Sequence, residues 1–197
     1  MSFTQELASW MSPTKLALGS PPKAGEPAPS TDSIKFPRAD GRPAVVVFLR
    51  HCGCPFAEKS LRVVREAASA HPDVAFVAVS HSSASHTAKW LSEVGGAGGG
   101  DDANNPVEVV TDEGREAYAR WGLGASGFLH VLGPSALSGV LRLSREEGIA
   151  NRPTESGSRW QTSGAWAVDG QGGVTWGGPA RMASEIPDVE EALSSLR

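Results

Sequence analysis

Along the chain, runs of apolar residues alternate with stretches of helical periodicity. Ala44 to Leu49 is an unbroken apolar, β-branched run too short for a helix, which predicts a strand buried on both faces of a parallel or mixed sheet. A turn follows, and from Pro55 the residues Ala57, Ser60, Leu61, Val64, Ala67 and Ala68 repeat at helical spacing. His71 and Pro72 end that pattern, and Val74 to Ser80 predicts a second buried strand. A helix to about Val94 follows, with Thr87, Trp90, Leu91 and Val94 on one face. Strand, helix, strand, helix in this order implies a right-handed crossover and a parallel pair. Val107 to Val110 predicts a third strand, and Asp112 to Trp121 a helix ended by glycines. Ala165 to Val168 and Val174 to Trp176 flank Asp169-Gly-Gln-Gly-Gly173 and predict a β-hairpin. Pro187 to Leu196 predicts a closing amphipathic helix.

Between these elements the pattern is weaker. Met1 to Met11 predicts a short docking helix that Pro13 ends, and Gly19 to Asp40 a Pro, Gly and Ser-rich surface lead-in. Ile34 to Phe36 is expected as a short edge strand, and 39–43 as a turn into the central strand. Phe128 to Leu143 is apolar but interrupted by Gly133, Pro134 and Gly139, and predicts no definite element. Gly95 to Asn105 is low-complexity, a loop at the far edge; no Gly-Lys-Ser/Thr follows its glycines, so it has no phosphate-loop pattern. Glu146 to Gly164 is a long polar loop carrying Arg152, Glu155, Arg159 and Trp160. Long loops in compact domains are often functional, so its arginines read either as anion or thiolate ligands or as a solvated, salt-bridged surface.

Composition narrows the function classes. At 197 residues the chain is expected to fold as one domain, 24–197, behind an N-terminal helix and lead-in, 1–23. A net charge of −4 with scattered Lys and Arg argues against a nucleic-acid surface. No apolar run approaches a membrane span and the N-terminus lacks the regions of a signal peptide, so a cytoplasmic, reducing setting is the expectation. The two cysteines, Cys52 and Cys54, stand two positions apart, too close for a stabilising cross-link. Two neighbouring thiols in a reducing compartment point to redox or metal chemistry.

Cys54 is the leading candidate. Proline is favoured at the first helical position, so Cys54 falls at the N-cap, facing unpaired N–H groups and the positive end of the helix dipole. Arg50 and His51 add charge or polarity beside it, surroundings that make a thiol nucleophilic at neutral pH. Parallel strands end on one edge of a sheet, which brings the Ser80 to Ser83 turn near Cys54. His81 is then either a neighbour of the cysteine or a helix-capping loop residue. Cys52 could resolve an oxidised Cys54 through a strained bridge that Gly53 permits, or Cys54 could act as a single cysteine needing an outside thiol such as glutathione. A metal site from His51, Cys52 and Cys54 is short of ligands unless His81 joins. A glutathione-dependent transferase or isomerase and a non-catalytic module with a merely buried Cys54 are the other readings.

The strand that ends in a Cys–Pro helix start, the strand–helix–strand unit, the VDGQGGV hairpin and the last helix together resemble the thioredoxin-like fold. More narrowly, AGEPAPS, FLRHCGCPFAEK, AVSHSS, RWGLG, GIANRPTESGSRW and AWAVDGQGGV resemble segments of the fungal thioredoxin-like AhpC/TSA, or peroxiredoxin-like, family. The resemblance implies an α/β fold with a central mixed sheet flanked by helices, and antioxidant thiol oxidoreductase chemistry on a small peroxide, disulfide or thiol. It further implies no bound cofactor, with glutathione or thioredoxin as reductant; a homodimer stays open. Cys54 and Pro55 fall on the family's peroxidatic cysteine and following proline, and Glu58 near the acidic position after it. His51 stands where peroxiredoxins usually carry threonine. Ala57 removes the second cysteine of a C-x-x-C pair, and Ser163 stands close to where thioredoxins place a cis-proline and peroxiredoxins an arginine. Arg152 and Arg159 are the candidates for that guanidinium.

Overall fold

A computed structural model of the chain describes residues 16–95, 106–125, 127 and 134–197. The predicted Met1 to Met11 helix, the glycine-rich run 96–105 and residues 128–133 lie outside the described residues. The sheet has five strands: β1 (Ala44–Phe48), β2 (Ala75–Ser80), β3 (Val107–Thr111), β4 (Gly164–Val168) and β5 (Val174–Pro179), in the order β3-β2-β1-β4-β5. β1, β2 and β3 run parallel, with Phe48 opposite Val79 and Ser80 opposite Thr111; β4 and β5 run antiparallel, with Gly164 opposite Phe48. The fold is α/β and thioredoxin-like, a mixed sheet flanked by helices.

Period-two alternation divides β1 between two cores. Val45, Val47 and Leu49 enter the cluster under α1 (Pro55–Ala70), whose Leu61, Val64 and Ala68 face the sheet. Ala44, Val46 and Phe48 enter an aromatic cluster on the other face with Tyr118, Trp121 and Trp166. The Phe48 ring lies 5.0 Å from Tyr118, 5.3 Å from Trp121 and 5.6 Å from Trp166, centroid to centroid. Burying indole rings demands partners for their N–H groups. Trp166 Nε1 donates to the Pro22 carbonyl and Trp121 Nε1 to that of Pro29, so the lead-in is the lid of this second core. Within the lead-in, the edge strand expected at 34–36 does not form. Thr31 N bonds the Ile34 carbonyl and the Ser30 hydroxyl bonds both backbone groups of Phe36, folding the segment on itself.

The other helices are α2 (Ala84–Glu93), α3 (Glu116–Arg120), α4 (Pro134–Glu147) and α5 (Val189–Ser194). Two are shorter than the periodicity suggests, because acid side chains bond amides at their amino ends. The Asp112 carboxylate accepts from Glu116 N and Tyr118 N, and Asp188 caps α5 by accepting from Glu191 N. α4 is the element that the glycine and proline pattern concealed. Pro134 is its first residue, and a Cβ at Gly139 would stand 3.0 Å from the Phe56 ring, so this glycine serves close packing onto α1. Loops at the carboxyl ends of β1, β2 and β3 converge with 148–163, the irregular segment leading into β4.

Candidate functional site

The turn after β1 is tight and supported from both sides. Cys54 N donates to the His51 carbonyl at 3.1 Å, and the Cys54 carbonyl accepts the first helical bond from Glu58 N at 3.2 Å. Cys54 is the N-cap residue of α1, with extended backbone (φ −74°, ψ 128°) and Pro55 next, as the proline start predicts. Its side chain makes no capping hydrogen bond, and the residue is 5% exposed, packed in one cluster with Phe56 and Ala57. Cys54 thus holds the N-cap position while its sulfur makes no bond to the helix. Gly53 takes φ 101°, and a Cβ there would meet the Arg152 and Pro153 carbonyl oxygens at 2.8 and 2.9 Å. Only glycine fits beneath the 148–163 strap.

Cys52 has different surroundings. It is 1% exposed, its Sγ lies 3.5 Å from Ser80 Oγ and donates to Thr87 Oγ1 at 3.8 Å, and its amide donates to Ser82 Oγ at 3.1 Å. Burial pushes its thiol pKa up, against the opposing pull of hydrogen bonds from Ser80, Ser82 and Thr87. Both cysteines are free thiols.

The strap 148–163 covers this turn through many polar contacts. Arg152 N donates to the Gly53 carbonyl at 2.9 Å, and Ser83 N to Ser156 Oγ at 2.8 Å. Ser158 N donates to His81 Nε2 at 3.1 Å, and Lys89 pairs with Glu155. His81 is a buried post rather than a cap, since Ser83 caps α2. Its other ring nitrogen lies 3.4 Å from the Tyr118 hydroxyl, and burial lowers its pKa to about 4. The Tyr118 hydroxyl stands 2.7 Å from both the Leu49 and Val79 carbonyls, tying together the ends of β1 and β2. Tyr118, Ser80, Thr87 and Ser156 were not among the sequence candidates; the polar residues ending the apolar run AFVAVS were the only signal.

The remaining candidates divide. Arg152 is engaged by a carboxylate: its Nε pairs with the buried Glu58 at 3.2 Å, and Glu58 also pairs with Arg62 at 2.5 Å. Arg159 is 8% exposed and gives its carbonyl to Arg50 Nη2 at 2.7 Å. Arg50 and His51 are 4% and 3% exposed, and burial, with the nearby Arg50 and Arg159 charges, holds the His51 pKa well below the usual histidine range. Ser163 receives Ala180 N on its carbonyl and lines a cavity of about 680 Å³ together with Ser60, Trp176, Met182 and Ile186. Neither cysteine lines that cavity. Among the described residues no three His, Cys, Asp or Glu side chains form a metal-holding group, and no helix is long and apolar enough to cross a membrane.

A parallel β1–α1–β2 unit with a cysteine at the N-cap position of its helix, followed by an antiparallel hairpin, makes a thioredoxin-like fold. Solved structures share this fold. The thiol peroxidase from Chromobacterium violaceum is 16% identical and superposes with a TM-score of 0.55 over 90% of each chain. A peroxiredoxin-like protein from Aquifex aeolicus is 14% identical, with a TM-score of 0.57 over 90% of this chain and 88% of that one. A cysteine-to-serine mutant of the peroxiredoxin 6 of Arenicola marina is 15% identical, with a TM-score of 0.57 over 87% of this chain and 70% of that one. No family model and no curated protein sequence matches the chain.

Proposed function

We propose that the protein is a one-cysteine thiol oxidoreductase in which Cys54 attacks a hydroperoxide. The observation that carries this reading is the contrast within the turn: the Cys54 side chain takes no capping bond at the end of a 16-residue helix, while Cys52 is hydrogen-bonded and enclosed. With no hydrogen bond to the helix start, the Cys54 sulfur keeps its lone pairs for an incoming electrophile. The thiolate attacks the terminal peroxide oxygen, the O–O bond breaks, and the alkoxide leaves and takes a proton to give an alcohol. The sulfenic acid left on Cys54 condenses with an outside thiol, releasing water and forming a mixed disulfide. A second thiol attacks that disulfide and restores Cys54, so two reductant thiols become one disulfide. Glutathione or thioredoxin fills this role, in the manner of an AhpC/TSA-type antioxidant enzyme of a reducing compartment. Cys52 does not resolve the intermediate, because its thiol is held neutral beside Ser80 and Thr87.

Support comes from the fold shared with a thiol peroxidase and peroxiredoxins, together with the placement of the sulfur. The test is the intact mass after peroxide and then glutathione. The expected gain is about 16 Da, one oxygen, then about 305 Da for the glutathione adduct, in wild type and in Cys52→Ser but not in Cys54→Ser. A loss of about 2 Da, an internal disulfide, would instead assign Cys52 a resolving role. No mass change with any peroxide would overturn the peroxidase reading and favour the thiol transferase alternative.

A further inference from the structure

The turn that carries Cys54 also buries a cation with no balancing charge. Arg50 commits one guanidinium N–H to the Arg159 carbonyl, while its Nε and Nη1 are enclosed and reach no acceptor. His51 likewise leaves both Nδ1 and Nε2 enclosed without a partner. The neighbouring acids are committed elsewhere, Glu58 to Arg62 and Arg152, and Asp112 to the amides of Glu116 and Tyr118. Among the described residues no carboxylate forms a salt bridge with Arg50. An ion removed from water without a counter-charge is costly, and orphaned donors in native interiors are rare enough to call for a cause.

A neutral carbonyl is a poor final partner for a guanidinium, whose planar fork matches a carboxylate with two parallel, charge-assisted bonds. The carbonyl in question belongs to the strap, an irregular segment that turns at Gly148 (φ 67°) and Gly157 (φ 80°) and is held by hydrogen bonds and by the partly exposed Lys89–Glu155 and Arg152–Glu58 pairs. An incoming carboxylate can therefore replace Arg159 on Arg50 as the strap withdraws, exchanging a neutral acceptor for a charged one. The same withdrawal uncovers Gly53, the residue that precedes Cys54.

We propose that Arg50 and His51 form a recognition site for a carboxylate carried by the substrate, so that Cys54 acts on acid-bearing rather than neutral molecules. This rests on Cys54 as the nucleophile and adds the substrate class. Two alkylating reagents test it, because iodoacetate and iodoacetamide form the same C–S bond, expel the same iodide and differ only by a carboxylate. With the adduct located by fragment masses, the iodoacetate-to-iodoacetamide rate ratio at Cys54 should exceed that of free glutathione by about tenfold, and the iodoacetate rate should saturate. Arg50→Met should return the ratio to the glutathione value, and Arg50→Lys should keep part of the gain. In the unaltered protein, acetate should protect Cys54 from iodoacetate while acetamide does not, a readout independent of how the variants fold. Fast reaction with iodoacetamide and a ratio no higher than that of glutathione overturns the carboxylate site and leaves Cys54 as the nucleophile. Slow reaction with both reagents overturns the nucleophile itself.

Discussion

The surroundings of Cys52 and of Cys54 are built from one turn and differ in the state of their polar groups. Around Cys52 every hydroxyl is used: Ser80 bonds Thr87 at 2.9 Å, Thr87 bonds the Ser82 carbonyl, and Ser82 accepts from the Cys52 amide. Cys54 has no such network: its side chain makes no capping bond at the helix start, and Arg50 and His51, earlier in the same turn, keep unmatched nitrogens. A closed network rigidifies, and an open one keeps its interactions for a molecule that arrives later. Two identical residues separated by one glycine thus differ in surroundings, Cys52 enclosed by hydrogen bonds and Cys54 making no capping bond, and the proposed role of Cys54 rests on that difference.

The largest effect expected from this contrast is on turnover. Cys54→Ser should lose peroxide-dependent thiol oxidation by about 10³-fold or more, since serine is a far weaker nucleophile at neutral pH. Cys52→Ser should stay within a few-fold, because a hydroxyl can join the Ser80 and Thr87 network. Steady-state rates for both variants check this, and a collapse in Cys52→Ser would mean that the closed side also does chemistry.

Gly53→Ala attacks the boundary between the two sides. At φ 101° alanine is strained, and its Cβ would push on two strap carbonyls, backbone atoms that cannot rotate away. About 3 kcal/mol of stability should be lost, read as a lower denaturant midpoint at unchanged slope. Hydrogen exchange should rise at the Arg152 amide, which bonds the Gly53 carbonyl.

Acid should loosen the strap without any mutation. His81 is buried neutral with its pKa at about 4, whereas an unfolded histidine titrates near 6.5. Between these values the unfolded chain binds more protons, so stability is full above pH 6.5 and falls as pH drops toward 4. Roughly 2 kcal/mol should disappear between pH 7 and pH 5 from this group, with His51 acting in the same direction. Equilibrium unfolding at the two pH values measures it, and His81→Gln should flatten the dependence.

How much of this could be read before the structure depends on whether a feature is local. β1, β2, the hairpin and the N-cap place of Cys54 follow from runs of apolar residues and one proline, interactions within a few residues of each other. α4 was hidden because Gly139 acts across space on Phe56, and a glycine in a sequence looks the same whether it breaks a helix or lets one pack. The arginines show the same limit. Arg152 and Arg159 are the sequence candidates for the anion, but Arg152 pairs with Glu58 and the Arg159 carbonyl accepts from Arg50, whose Nε and Nη1 have no partner. Pairing over about a hundred residues is decided by topology, which side-chain spacing does not encode.

The smallest effect concerns the outer fastening of the strap. Glu58 is 1% exposed, but its partners Arg62 and Arg152 have side chains 42% and 30% exposed, so solvent screens much of their attraction. Glu58→Gln keeps the shape and one acceptor oxygen while removing the charge that both guanidinium groups share. The loss should be about 1 to 2 kcal/mol, below that of a fully buried pair. Its more telling consequence is at the sulfur: with Arg152 less firmly held, the strap should open more often and iodoacetamide should reach Cys54 a few-fold faster. Faster alkylation under conditions where the variant stays fully folded would show that access to Cys54 is governed by the strap. An unchanged rate would place the barrier in the Phe56 and Ala57 packing around Cys54 instead.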